Sequence, residues 1–88
     1  MQLLFDSSFL KDLEKIKDKK IKKKILLFIE QVKRSESLTA IPNIRKLSGY
    51  KNFYRYKISP YRIGFKKKGS VIILIVIKHR KDIYRRFP

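Results

Sequence analysis

Seven consecutive apolar residues, Val71-Ile72-Ile73-Leu74-Ile75-Val76-Ile77, constrain this chain more than any other feature. Strand side chains alternate between the two faces of a sheet, so a run that is apolar at every position must be covered on both. As a helix, the run is far too short to cross a bilayer, which takes about 20 residues. It therefore predicts an interior strand, and the rest of the chain must supply neighbours and cover.

The first half supplies the cover. Gln2 to Phe5 reads as a short strand, and Asp6, Ser7 and Ser8 offer N-cap side chains to a helix. Phe9, Leu10, Leu13 and Ile16 fall at helical spacing, which predicts a helix ending near Asp18. A second stripe follows at Ile21, Ile25, Phe28, Ile29 and Val32, with Lys20, Lys22, Lys23, Lys24 and Glu30 on the opposite side. Two such stripes with a short join predict a helical hairpin packed on one face of the sheet.

Ser35 to Asn43 reads as a connector, punctuated by Pro42. The period then changes to two. Phe53 to Ile58 and Tyr61 to Lys66 read as strands separated by Ser59-Pro60, and Lys67 to Ser70 forms the turn into the apolar strand. The tail from His79 to Pro88 is polar and predicts a short terminal helical turn. The order is β-α-α-β-β-β, an α+β fold of two layers with a helical hairpin on a mainly antiparallel four-stranded sheet. No repeat or linker divides it, so residues 1–88 are expected to form a single domain. Six Phe and five Tyr in a chain that is 43 % hydrophobic argue against disorder. Cysteine is absent, which excludes disulfides, thiolate–zinc sites and thiol catalysis. The N-terminus shows no signal-peptide pattern, so a cytoplasmic protein with no membrane role is expected.

Charge gives the first functional indication. Twenty-four Lys and Arg against seven acids leave a formal net charge of +17. Such self-repulsion is tolerated where a polyanion favours it: nucleic acid, the ribosome, an acidic protein or an anionic membrane surface. The excess is uneven: +4 over residues 1–44 and +13 over residues 45–88. The anion-facing surface should be built by the second half.

Alternation assigns the hairpin's faces. Tyr54, Tyr56, Ile58, Tyr61, Ile63 and Phe65 form one face and pack under the helices. The other gathers Arg55, Lys57 and Arg62. A turn centred on Ser59-Pro60 sets Lys57 opposite Arg62, Tyr56 opposite Ile63 and Arg55 opposite Gly64. Gly64, lacking a side chain, should leave open space beside Arg55. Like charges directly opposite on neighbouring strands are destabilising. Lys57 and Arg62 therefore make sense around a phosphate, which converging cations can cradle. For any one of these residues, a solvated sheet face would suffice; the three together point to an anion site.

Past the apolar strand come His79, Arg80, Lys81, Asp82, Ile83 and Tyr84. His79 is the only histidine, and the only side chain that titrates near neutrality without perturbation. On spacing alone, His79 and Tyr84 read as structural residues.

Leu47-Ser48-Gly49, Phe53-Tyr54-Arg55-Tyr56-Lys57-Ile58, Tyr61-Arg62-Ile63, the apolar strand and His79-Arg80-Lys81-Asp82-Ile83-Tyr84 together resemble the RelE branch of the RelE/ParE toxins. The resemblance spans essentially the whole chain. It implies a metal-free endoribonuclease, without cofactor, that cuts messenger RNA in the ribosomal decoding site. In that chemistry a 2′-hydroxyl attacks the adjacent phosphate. By the same resemblance Arg55 and Lys57 deprotonate the nucleophile or stabilise the phosphorane, and Arg62 clamps the phosphate. Arg80 meets the leaving oxygen, Tyr84 stacks on or orients the base, and His79 takes part as a late histidine does in some relatives. Arg55 stands where lysine is common, and arginine, which stays protonated, is a poor base.

The resemblance also implies partners: an acidic antitoxin in a hetero-oligomer, and mRNA with ribosomal RNA, which the lysines from Lys19 to Lys24 could grip. Three other readings share the fold or the charge. One is a ParE-like poison of DNA gyrase, another a non-catalytic nucleic-acid-binding module, and the third a decayed toxin that now only binds its antitoxin.

Overall fold

The computed structural model describes residues 1–88. Its elements are β1 (Gln2–Phe5), α1 (Ser7–Lys15), α2 (Lys19–Arg34), a 3₁₀ turn (Leu38–Ala40), β2 (Ile44–Lys46), β3 (Phe53–Ile58), β4 (Tyr61–Lys68), β5 (Val71–His79) and α3 (Ile83–Arg86). The strands form one sheet in the order β1-β5-β4-β3-β2. β5, which carries the apolar run, lies inside it, parallel to β1 and antiparallel to β4. No helix is long and apolar enough to cross a membrane.

The sheet has five strands rather than four. The addition, Ile44–Lys46, pairs antiparallel with β3. Three residues with a single apolar side chain carry too little periodicity to read as a strand; the exposed edge of β3 makes them one.

Side-chain caps set the helix limits. Asp6 accepts the Ser8 N–H at the start of α1. α1 ends at Lys15, short of Asp18, because Ile16 turns extended and goes into the core. Asp18 is thereby free to cap α2, accepting the Lys20 and Ile21 N–H groups at 2.8 and 3.3 Å. Ile21, Ile25, Phe28, Ile29 and Val32 are all buried, as their spacing requires.

Phe9, Ile25, Phe28, Ile63, Phe65, Ile72 and Leu74 are essentially fully buried between helices and sheet. Tyr56 stacks on Phe28 with ring centroids 3.9 Å apart, and Tyr54 stacks on Phe65 at 5.4 Å. The Tyr/Ile/Phe face of the hairpin packs under the helices, as alternation required.

β5 contains a bulge. Gly64 faces Val76 while Phe65 faces Leu74, so Ile75 is an extra residue on that strand. The bulge shifts the alternation: Ile72, Leu74 and Ile77 join the main core, whereas Val76 faces away from the helices. There Val76, Ile83 and Phe87 form a second cluster, flanked by Leu47, Phe53 and Ile75. The polar tail thus carries two anchors, and α3 closes part of the far face.

β1 stops pairing at Phe5, opposite Leu74, which leaves the edge of β5 open beyond it. Asp12 fills the gap from α1. Buried, it accepts the Ile77 N–H at 2.9 Å and the Lys78 Nζ at 3.0 Å. Asp12→Ala strands a buried N–H and is expected to cost about 1–3 kcal/mol. At about 4–8 °C per kcal/mol for a chain this size, thermal melting will resolve it. Asp12→Asn keeps an acceptor and should lose less. Equal melting of Asp12→Ala and the parent would refute the assignment.

Candidate active site

The far face of the sheet carries the cations, and register decides where they meet. Lys57 is the Cα partner of Arg62, and Arg55 that of Gly64, as the hairpin pattern required. The added strand brings a further residue: Arg45 is the Cα partner of Arg55. Two like-charge pairs therefore lie side by side across three strands, Arg45 with Arg55 and Lys57 with Arg62. Each opposes folding when no anion is present.

These residues line a concavity of about 430 Å³, together with Asn43, Ile44 and Tyr84. Arg45 and Asn43 escaped the sequence reading. Arg45 belongs to a strand with no periodic signal, and Asn43 sits at positive φ, 68°, a turn position that asparagine tolerates. Its carbonyl accepts the Lys57 N–H at 3.0 Å, which ties the pocket's rim to β3.

Tyr84 reaches the pocket from α3 and is 75 % exposed. The Arg55 guanidinium carbon lies 4.8 Å from its ring centroid, a cation–π distance. Ile83 and Phe87, buried on either side of Tyr84 in the sequence, hold α3 against the sheet. Arg62 donates through Nη1 to its neighbour's carbonyl on Tyr61 at 3.0 Å.

The space expected beside Arg55 at Gly64 is not open. A Cβ built on Gly64 would lie 2.7 Å from the Phe87 ring. Glycine is required because Phe87 packs onto the backbone there, and the packing serves to place α3. The pattern of β4 alone could not show this, since the occupant lies twenty-three residues on.

His79 and Arg80 do not line the concavity. His79 is the Cα partner of Tyr61 and sits on the helix-facing side of β5, with its ring 6.0 Å from the Tyr61 ring. Its Nδ1 accepts the Lys81 N–H at 3.2 Å. Arg80 is exposed in the following turn, where its N–H donates to the Pro60 carbonyl at 2.8 Å and ties the tail to the β3–β4 turn.

Two phenols depart from the ordinary tyrosine pKa, about 10. Arg55, through its N–H donors and then its charge, pulls Tyr84 down, with smaller contributions from Arg62 and Arg45. Burial pushes Tyr56 up. In an alkaline titration followed by NMR of labelled tyrosine, Tyr84 should ionise below the ordinary value and Tyr56 above it. Arg55→Ala should move Tyr84 back upward. A Tyr84 midpoint unmoved by that substitution would contradict the contact.

Comparison with known proteins identifies the fold and the family. The chain is 42 % identical to Toxin RelE3 of Methanocaldococcus jannaschii, and the match covers all of both chains. Its fold superposes on the crystal structure of a RelB-RelE antitoxin-toxin complex from Methanococcus jannaschii with a TM-score of 0.84. The identity there is 41 %, over 97 % of this chain and 99 % of that one. The intact Escherichia coli RelBE toxin-antitoxin complex shares the fold at a TM-score of 0.70 and 24 % identity, over 89 % and 94 % of the two chains. The helical hairpin over a mixed sheet and these similarities together make the chain a toxin of the type II toxin–antitoxin class. More particularly, the chain belongs to the ParE toxin family of type II toxin-antitoxin systems, part of the RelE/ParE superfamily, whose pattern matches residues 3–84.

Proposed function

We propose that this chain, acting as one domain over residues 1–88, is a metal-independent endoribonuclease that cuts messenger RNA on the ribosome in the cytoplasm. The observation that carries the reading is the meeting of Arg45, Arg55, Lys57, Arg62 and Tyr84 in one concavity. Poisoning another enzyme requires no such convergence. The relative named Toxin RelE3 supports the same branch.

The chemistry follows from what the residues can do. The 2′-oxygen bonds to the adjacent phosphorus as its proton leaves, and the bond from phosphorus to the 5′-oxygen breaks. That oxygen takes a proton, leaving a 2′,3′-cyclic phosphate and a 5′-hydroxyl. Arg62 and Arg55 hold the phosphate and neutralise the charge that grows on its oxygens. Lys57 is the pocket's cation with a proton it can exchange, because arginine keeps its own. Tyr84, exposed and backed by Arg55, offers a face on which a base can stack. His79 and Arg80, at the end of β5, lie outside the pocket and take no step in this chemistry. The pocket lacks a carboxylate or histidine base, so aligning the substrate falls to the ribosome.

A nuclease of this kind needs restraint. The RelB-RelE complexes among its structural neighbours support a cognate antitoxin in a hetero-oligomer, and the +17 charge calls for an acidic one.

Mapping transcript 5′ ends after brief expression tests the proposal. The parent chain should cut within translated codons, and the cuts should vanish when translation is blocked and in Lys57→Ala/Arg62→Ala. Intact transcripts in growth-arrested cells would overturn it and redirect attention to gyrase.

A further inference from the structure

A second concavity adjoins the first and shares two residues with it. Asn43 and Lys57 line both. The new one, about 550 Å³, opens between α2 and the end of β3. Its volume falls within the range of about 300–1,000 Å³ usual for small-ligand sites. Because Lys57 lines both concavities, an extended strand leaving the cation cluster can pass from one to the other without losing contact with the protein.

The second concavity differs from the first in chemistry. The first is cationic. The second combines Lys24 and Lys57 with the amides of Gln31 and Asn43, the Ser59 hydroxyl, and the apolar surface of Leu27, Tyr56 and Ile58. Side-chain amides read base edges through paired donors and acceptors, and aromatic or aliphatic surfaces take base faces. Tyr56 is already braced by Phe28 on one side. Leu27 is 58 % exposed, a large apolar side chain at the lip of a polar groove, and the helical packing does not use it. Two lysines at the margins suit phosphates on either side of a bound nucleoside.

We infer that this groove is a second nucleotide subsite, which takes the base next to the scissile phosphate and reads it through Gln31 and Asn43, with Leu27 at its lip. The inference rests on the nuclease reading and deepens it: Lys57 holds the strand where it passes from the cleavage pocket into the reading groove. An acidic protein segment could also meet Lys24 and Leu27. The amides and their continuity with the cation cluster favour RNA.

Gln31→Ala and Leu27→Ala both change side chains outside the core, so neither should unfold the chain. Transcript 5′ ends are mapped for the parent and both variants at matched expression, and base frequencies are tabulated at each position around the cut. The expected result is a several-fold flattening of the preference at one position beside the cut in both variants, with the other positions unmoved. An unchanged profile in both overturns the subsite while leaving the nuclease intact. So does a uniform fall at all sites in folded protein, since a base-reading contact must redistribute cuts. An unchanged profile with weaker neutralisation by the antitoxin would give the groove to the protein partner instead. If the parent cuts nothing, the nuclease reading and the subsite fall together.

Discussion

Arg62→Ala is expected to melt no lower than the parent chain, and higher at low salt, while its RNA-cutting rate falls by about a hundredfold or more. The two effects have one cause. Arg62 and Lys57 are directly opposed across β3 and β4, and like charges so placed destabilise a sheet by a few tenths to about 1 kcal/mol. Removing one relieves that repulsion; the single hydrogen bond lost, to the Tyr61 carbonyl, is partly exposed and worth little. In the proposed reaction the same cation lies against a phosphorane whose charge is growing. Deleting one preorganised donor to such a charge typically costs about 10²–10³ in rate. Lys57→Ala should behave alike. Added salt should narrow the stability difference, because exposed charges are screened. Matched thermal melts and cleavage assays measure both quantities. A variant clearly less stable than its parent would refute the repulsion, and one that cuts normally would refute the part given to Arg62 in the chemistry.

That trade between stability and function was visible in the sequence because strand alternation is a strict period. Once Phe53–Ile58 and Tyr61–Lys66 are strands, the turn at Ser59-Pro60 leaves little freedom, and Lys57 must face Arg62. The helical stripes were legible for the same reason. Arg45 was not, because β2 is a strand only by virtue of its neighbour and no local pattern marks it. The far-face cluster was hidden by composition: Ile83 and Phe87 stand among Arg80, Lys81, Arg85 and Arg86, and a count of charges reads that stretch as solvated. The bulge at Ile75 was hidden by the opposite difficulty. A run that is apolar at every position gives no sign of where its phase slips.

The same tail sets the second large effect, at Gly64. Alanine there would place a methyl group 2.7 Å from the Phe87 ring, closer than carbon atoms approach, and a rigid ring cannot yield as a flexible chain end would. Either the ring moves or the strand does. Overpacking a buried site typically costs about 1–3 kcal/mol, which for a chain of this size lowers the melting temperature by about 4–8 °C per kcal/mol. The functional loss should exceed the loss of stability. Phe87 and Ile83 hold α3, and α3 carries Tyr84, whose ring lies against Arg55 and takes the base in the proposed reaction. At a temperature where Gly64→Ala is still folded, its cutting rate should already fall toward that of Tyr84→Ala. The pair Gly64→Ala/Phe87→Leu separates causes, since the smaller branched side chain makes room for the methyl group. If the contact with Phe87 is the cause, the double variant will melt higher than the sum of the two single effects allows. Additive losses would place the cost of Gly64→Ala in the strand backbone at the bulge, and α3 would then be held by Ile83.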